Sequence, residues 1–312
     1  MSEQNAIYVI GSSNTDMVIK TEKLPVPGET VMGGNFLMNP GGKGANQAVA
    51  AARLGGQVAF IAKVGNDVFG KQAIQQFQRE KINTNFISTD TDHASGVALI
   101  NVDALGENCI AVAPGANSQL KHYEVETALE KINDDTLILL QLEIPLTTVE
   151  YAIRRSHEKD LRVLLNPAPA QMLSPELLSF LYLITPNESE AELLTNIKVT
   201  NAATAEQAAR KLQAMGVRNV IITLGSKGAY LHNHSISELI PAPPVTAVDT
   251  TAAGDCFNGA LAVALAEHQP LDQAVAFACK AASISVTRMG AQASIPYRRE
   301  VDAMPLVSVL NP

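Results

Sequence analysis

Ala6-Ile-Tyr-Val-Ile10 runs directly into Gly11-Ser-Ser-Asn14-Thr-Asp16, a short β-branched apolar run that ends in small and polar residues. The same reading recurs along the chain. Val58–Val64, Leu137–Leu142, Val163–Leu165, Leu181–Ile184 and Val220–Leu224 are further apolar runs of strand length, with helical patterns between them. The intervening helices are expected at Ala45–Leu54, Lys71–Glu80, Tyr123–Lys131, Thr147–His157, Glu188–Leu194, Ala205–Met215, Gly254–Glu267 and Leu271–Val286. Strands alternating with helices predict an α/β fold, a doubly wound and mostly parallel sheet covered on both faces. Met17–Met38 and Gly96–Ala113 break the alternation, each reading as two strands around a turn. They are expected to form a small antiparallel sheet over a site, with segments 14–40 and 93–113 as an inserted lid. With no low-complexity tract or Pro-rich linker, residues 1–312 are expected to form one domain.

Ligands of a parallel sheet lie beyond the carboxyl ends of its strands, so the residues after each run are the ones to inspect. Asn14 and Asp16 follow the first run, Glu143 the third and Asn166 the fourth. Asn187 and Glu190 follow the fifth, and Thr223, Gly225, Ser226, Lys227 and Gly228 follow Val220–Ile222 of the sixth. Each alone reads as a cap or a turn rather than a ligand; together they outline the rim of a cleft.

Two glycine-containing turns open helices. Pro40-Gly-Gly42-Lys43-Gly-Ala-Asn46-Gln47 lacks the GxxxxGK[ST] spacing of a Walker loop, and Gly11-Ser-Ser is not the GxGxxG of a dinucleotide fold. Its glycines admit a compact polar ligand to the backbone, with Lys43 and Asn46 as donors; Lys43 reads alternatively as a solvated surface lysine. Asn14 and Asp16, two apart on an extended segment, point the same way and, with Glu143, suit a polyol or sugar. Asp249-Thr-Thr-Ala-Ala-Gly-Asp255-Cys-Phe-Asn-Gly259 precedes an Ala- and Leu-rich helix. Backbone N–H groups at Ala252, Ala253 and Gly254, with the positive helix end, would hold a phosphate beside Asp255. An N-cap aspartate after a turn is the plainer alternative.

The 312 residues are 46% hydrophobic and 17% charged, enough for a large core. A net charge of −8 without a Lys/Arg run argues against nucleic acid and anionic lipid as partners and favours a small molecule. Cys109, Cys256 and Cys279 are odd in number and lack CxxC spacing, so reduced thiols are expected. The start Met-Ser-Glu-Gln-Asn carries no leader pattern, and no apolar run approaches the ~18 residues of a membrane span. A cytoplasmic location is expected.

The segments Asn39–Gly55 and Asp249–Gly259, with Asn166-Pro-Ala-Pro-Ala170 and Thr287-Arg-Met-Gly-Ala-Gln292, resemble the ribokinase-like (PfkB) carbohydrate kinase family from Gly11 to Ser294. The resemblance implies a Rossmann-like αβα sandwich with a β-sheet lid, a homodimer joined through the lids, and transfer of phosphate from Mg-ATP to the 5-hydroxyl of D-ribose. It assigns the sugar to Asn14, Asp16, Gly42, Lys43, Asn46 and Glu143, and nucleotide to Asn187, Thr223, Gly225 and Gly228. Glu190, with Asn187, would help to place Mg²⁺. Asp255 would be the base, its ionised form favoured by the helix dipole, and residues 252–254 the anion hole. An activating K⁺ would lie among Asp249, Thr251, Ser285, Arg288, Gly290 and Ser294. Cys256 stands where Thr is usual, and Cys279, near the adenine, where many relatives carry His. A 2-deoxyribose or other furanose kinase and a non-catalytic sugar- or nucleotide-sensing module are the alternatives.

Overall fold

The computed structural model describes residues 6–132 and 135–305, so the opening Met-Ser-Glu-Gln-Asn lies outside the described residues. The chain-order strands are β1 (Ala6–Ile10), β2 (Asn14–Lys20), β3 (Phe36–Gly41), β4 (Gln57–Gly65), β5 (Ile87–Asp90), β6 (Gly96–Val102) and β7 (Asn108–Ala113), then β8 (Leu137–Leu140), β9 (Arg162–Leu165), β10 (Leu183–Ile184), β11 (Asn219–Thr223), β12 (Ala229–His232) and β13 (Ser237–Ile240). Nine of them form one sheet in the order β13-β12-β11-β10-β9-β8-β1-β4-β5. It is parallel from β11 through β5, and the β12–β13 hairpin adds an antiparallel edge.

The helices are α1 (Lys43–Arg53), α2 (Val68–Arg79), α3 (His122–Leu129), α4 (Leu146–Glu158), α5 (Pro175–Ser179) and α6 (Glu188–Thr195), then α7 (Ala202–Ala214), α8 (Ala253–Ala266), α9 (Leu271–Ser285), α10 (Ala291–Ser294) and α11 (Arg298–Ala303). The two-residue period of the strands divides the apolar side chains between the two sheet faces. Leu137, Leu139, Leu164 and Ile221 join the core formed with α1, α8 and α9, whereas Ile138, Leu140, Leu165 and Ile222 join the core under α3 to α7. Burial on both faces explains why these strands read as unbroken apolar runs.

The helix α8 lies against α1 with almost no side chain between them. A Cβ on Gly259 would stand 2.5 Å from the Ala50 Cβ and 2.8 Å from the Gln47 carbonyl oxygen, so glycine is required at that crossing.

The strands β3-β2-β6-β7 form a second sheet. Its strands fall in the two segments that interrupt the alternation, but it is mixed rather than antiparallel. The strands β2 and β6 are parallel, Asn14 opposite Gly96 and Lys20 opposite Val102, while β2–β3 and β6–β7 are antiparallel. A parallel pair arises because β2 and β6 come from two separate insertions rather than from one hairpin.

Candidate active site

Three turns meet at the carboxyl edge of the large sheet. Gly42 caps α1 with φ 89°, and a side chain there would collide with the backbone of Ser12, Ser13 and Asn14. Its neighbour Gly41 leaves the space in which the Asp16 carboxylate sits. Glu143, beyond β8, accepts from the Ser12 hydroxyl and, at 2.9 Å, from the Lys43 backbone N–H. This contact fixes the start of α1 against the rim.

Asp255 lies in the first turn of α8 and is buried. Its Oδ2 accepts from Asn46 Nδ2 and its Oδ1 from Gln47 Nε2, each at 2.9 Å. The amide oxygen of Asn46, Oδ1, is buried without a partner among the described residues. The helix dipole is expected to favour ionised Asp255; in the structure burial acts in the opposite direction. Burial pushes its carboxyl above the usual carboxylate range, against the pull of Lys43 and the two amides, and Glu143 adds to the rise. Burial, with Glu143 and Asp255 nearby, likewise raises Asp16 to about 6. Burial pulls the Lys43 ammonium down, yet Asp255, Glu143 and Glu190 together hold it above its ordinary value. The centre thus places three carboxylates around one ammonium, with Asp16 beside Glu143 and Asp255.

Ala252, ahead of α8, adopts a left-handed conformation with φ 58°, a strained geometry of the kind that concentrates at functional sites. The expected set of free N–H groups is corrected here: Ala253 N–H already donates to the Thr250 carbonyl at 3.2 Å. Gly254 is exposed and has open space where a side chain would stand.

A cavity of about 430 Å³ opens beside this turn, lined by Thr223, Gly225, Ser226, Gly228, Ala253, Gly254 and Cys279 among mostly apolar neighbours. Lys227 is not in that lining; its Nζ donates to the Thr200 carbonyl at 3.2 Å, outside the cavity. Asn187 and Glu190 also lie outside the lining and form a reciprocal cap on α6, each side chain accepting from the other's backbone N–H at 2.8 Å. Burial, the largest influence, raises the Glu190 carboxyl. Burial pushes the thiols of Cys256 and Cys279 up to about 12, which removes any reactive thiolate.

Of the six candidate K⁺ residues, three are joined directly. Asp249 accepts from Thr251 N–H and hydroxyl and from Gly290 N–H. Ser285 is the last residue of α9, and the carbonyl of its C-cap, Val286, accepts from Asp249 N–H. The Arg288 side chain instead pairs with Glu300, and the Ser294 hydroxyl donates to the Ala291 carbonyl. Gln47, Gln141 and Asn258, which complete the polar interior of the site, were missed in sequence because they carry no signature apart from ordinary buried amides.

A model of the pfkB family of carbohydrate kinases matches residues 4–298. A ribokinase of Haemophilus influenzae is 46% identical over 95% of this chain and 97% of its own length. A deoxyribokinase of Salmonella typhi is 39% identical over 93% of this chain and 95% of its own. A structure of the Arabidopsis thaliana ribokinase with ribose and ATP superposes with a TM-score of 0.88 at 29% identity, covering 96% of this chain and 97% of that one. The fold, the two glycine-bearing turns and this near-complete coverage lead to one conclusion: the chain belongs to the pfkB family of carbohydrate kinases.

Proposed function

We propose that the protein transfers the γ-phosphoryl group of ATP to the 5-hydroxyl of D-ribose, giving D-ribose 5-phosphate and ADP. The observation that carries the reading is the unpartnered Oδ1 of buried Asn46, whose Nδ2 holds Asp255. A sugar hydroxyl that donates to this oxygen is set down beside the base.

Asn14, Asp16, Gly42, Lys43, Asn46 and Glu143 bind the sugar in this reading, and the cavity beside Gly225, Gly228 and Cys279 takes the nucleotide. Its apolar walls suit a purine ring, with few polar groups to fix orientation. Asp255 accepts the hydroxyl proton as the bond to phosphorus forms. A carboxyl raised by burial is a stronger base than a solvated one, which favours this role at neutral pH. The backbone around Gly254, at the positive end of α8, meets the transferring phosphoryl group, and Lys43 offsets its charge.

The excess of carboxylates over Lys43 fits a divalent cation arriving with the nucleotide, and Glu190 and Asn187 would hold Mg²⁺ or its water. Bound there, Mg²⁺ supplies charge neutralisation on the phosphate oxygens. Asp249 suits K⁺: its carboxyl lies below the usual range despite desolvation, through bonds from Thr251 and Gly290 and the charge of Lys20. The second sheet would act as a lid. Its exposed Phe36, Met38, Leu99 and Ile110 suit a homodimer contact, and ATP as donor suits the cytoplasm. No described helix is long and apolar enough to cross a membrane.

The similarity to a deoxyribokinase keeps 2-deoxyribose as the second reading, since one hydrogen bond to a hydroxyl decides that choice. Coupled ADP release with Mg-ATP and K⁺ over D-ribose, 2-deoxyribose, fructose and adenosine separates them. Ribose should give the highest kcat/KM. No turnover with any sugar, alongside measurable ribose binding, would replace the kinase reading with a sensing module.

A further inference from the structure

Gln47 is fully buried in α1, and its amide is held in a single orientation. Oε1 accepts from Gln141 Nε2 at 2.6 Å. That leaves Nε2 to donate to Asp255 Oδ1 at 2.9 Å and to Asn166 Oδ1 at 3.0 Å. Asn166 is fixed in turn, because its Nδ2 donates to the Thr185 carbonyl at 3.2 Å. Gln141, Asn166 and Thr185 are each the first residue beyond β8, β9 and β10. From Thr185 the path continues through its hydroxyl to Asn258 Oδ1 at 2.6 Å, and Asn258 Nδ2 donates to the Gly254 carbonyl at 2.8 Å. Three strand ends therefore grip both the candidate base and the turn ahead of it.

Reversing the Gln47 amide would set its oxygen against Asp255 Oδ1 and against Asn166 Oδ1, which the Thr185 bond holds in place; Gln141, whose Oε1 has no partner among the described residues, could follow such a turn and does not prevent it. Asn46 has no such lock, since its Oδ1 is unpartnered. Resting on the kinase reading of Asp255, we propose that Gln47 is a positioning residue that keeps Asp255 ionised and aimed at the incoming hydroxyl, its direction fixed by Asn166. A protonated Oδ1 would face a donor that cannot turn away. The charged groups facing Asp255 are Lys43 of α1, Glu143 beyond β8, Glu190 of α6 and Asp16 of β2. Burial and the carboxylates favour the acid, while Lys43 and the amide donors favour the anion.

The test compares Gln47→Met, similar in size without the donor, with wild type in the unliganded full-length protein. The Asp255 carboxyl is titrated by ¹³C NMR, its resonance assigned by its loss in Asp255→Asn, and kcat for ribose is followed against pH. The titration midpoint should rise by about one pH unit, with the acidic limb of kcat moving equally and ribose Kd changing less than about 3-fold. Gln141→Met, which leaves both bonds to Asp255 but removes the donor to Gln47 Oε1, should shift the midpoint less and in the same direction. An unmoved midpoint in a folded variant overturns the proposal, even if kcat falls. Should Gln47→Met fail to fold, Gln141→Met decides by the same criterion. A wild type that turns over no sugar removes the kinase reading, while the NMR midpoint still decides whether Gln47 governs the Asp255 proton.

Discussion

Asp16→Asn should make the unliganded protein more stable and less able to bind ribose. In the folded chain the Asp16 carboxyl titrates at about 6 instead of 3.8, because burial and the nearby Glu143 and Asp255 disfavour its charge. About 2 pH units at 1.36 kcal/mol each is an upper limit of about 3 kcal/mol against the ionised form. Asp16 keeps some solvent contact, so about 1–2 kcal/mol should reach stability. The sign follows from the raised value: the folded state holds this proton more tightly than the unfolded one, so the contribution is favourable at low pH. It is lost as pH rises from about 4 through about 6. Asn carries no such penalty, so the variant should gain on wild type across that window and keep a constant lead above it. For a chain of 312 residues the lead corresponds to about 1.5–3 °C in Tm at pH 8. Calorimetry of both unliganded proteins from pH 4 to 8 measures it, with ribose titration alongside, where Kd should rise at least about 10-fold. A Tm difference independent of pH, or a variant less stable than wild type at pH 8, would refute the electrostatic account.

Asp255→Asn should lower kcat by ~10² to 10⁴ in the ADP-release assay and leave ribose Kd within a few-fold; unchanged kcat removes Asp255 from the chemistry. Gly259→Ala forces a methyl group against Ala50 and the Gln47 carbonyl, so it should cost about 1–3 kcal/mol in denaturant unfolding and lower kcat more than it raises KM. Ribose with a non-hydrolysable ATP analogue should slow amide exchange in β6 and β7, and ribose-free protein should hydrolyse ATP slowly; equal exchange with and without ligands would dismiss closure of the second sheet.

The parallel sheet was legible because strands buried on both faces must be apolar throughout, as Leu137–Leu140 and Asn219–Thr223 nearly are. The helix starts at Asp67, Asn187 and Asn201 follow ordinary side-chain capping, though the start of α1 at Lys43 rests on Gly42 instead. The edge hairpin β12–β13 went unread, since Ser237–Ile240 is mostly exposed and carries little apolar signal. The mixed pairing of the second sheet was beyond local reading, because β2 and β6 are joined only by the tertiary fold. In the site, the turns at 40–47 and 249–259 announce themselves through glycine and small residues. The proton affinity of Asp255 does not, because desolvation is a property of everything packed around it and outweighs the adjacent helix terminus. Lys227 illustrates the opposite failure, a basic residue in a rim motif whose side chain reaches Thr200 instead.

The strand β1 passes into β2 across Gly11, Ser12 and Ser13 alone, and β3 enters α1 through the single residue Gly42. The insertion that carries Asn14 and Asp16 therefore has short, stiff tethers to the frame that carries Asp255, and β6 is bound to β2 along its whole length. Drift in β7, the edge strand of the second sheet, is free of that constraint. A lineage could retune what the second sheet admits by exchanging residues on that edge strand, while Asn14, Asp16 and the Gly41-Gly42 turn stay locked to the frame that carries Asp255. Recognition and chemistry would then evolve at different rates within one small domain.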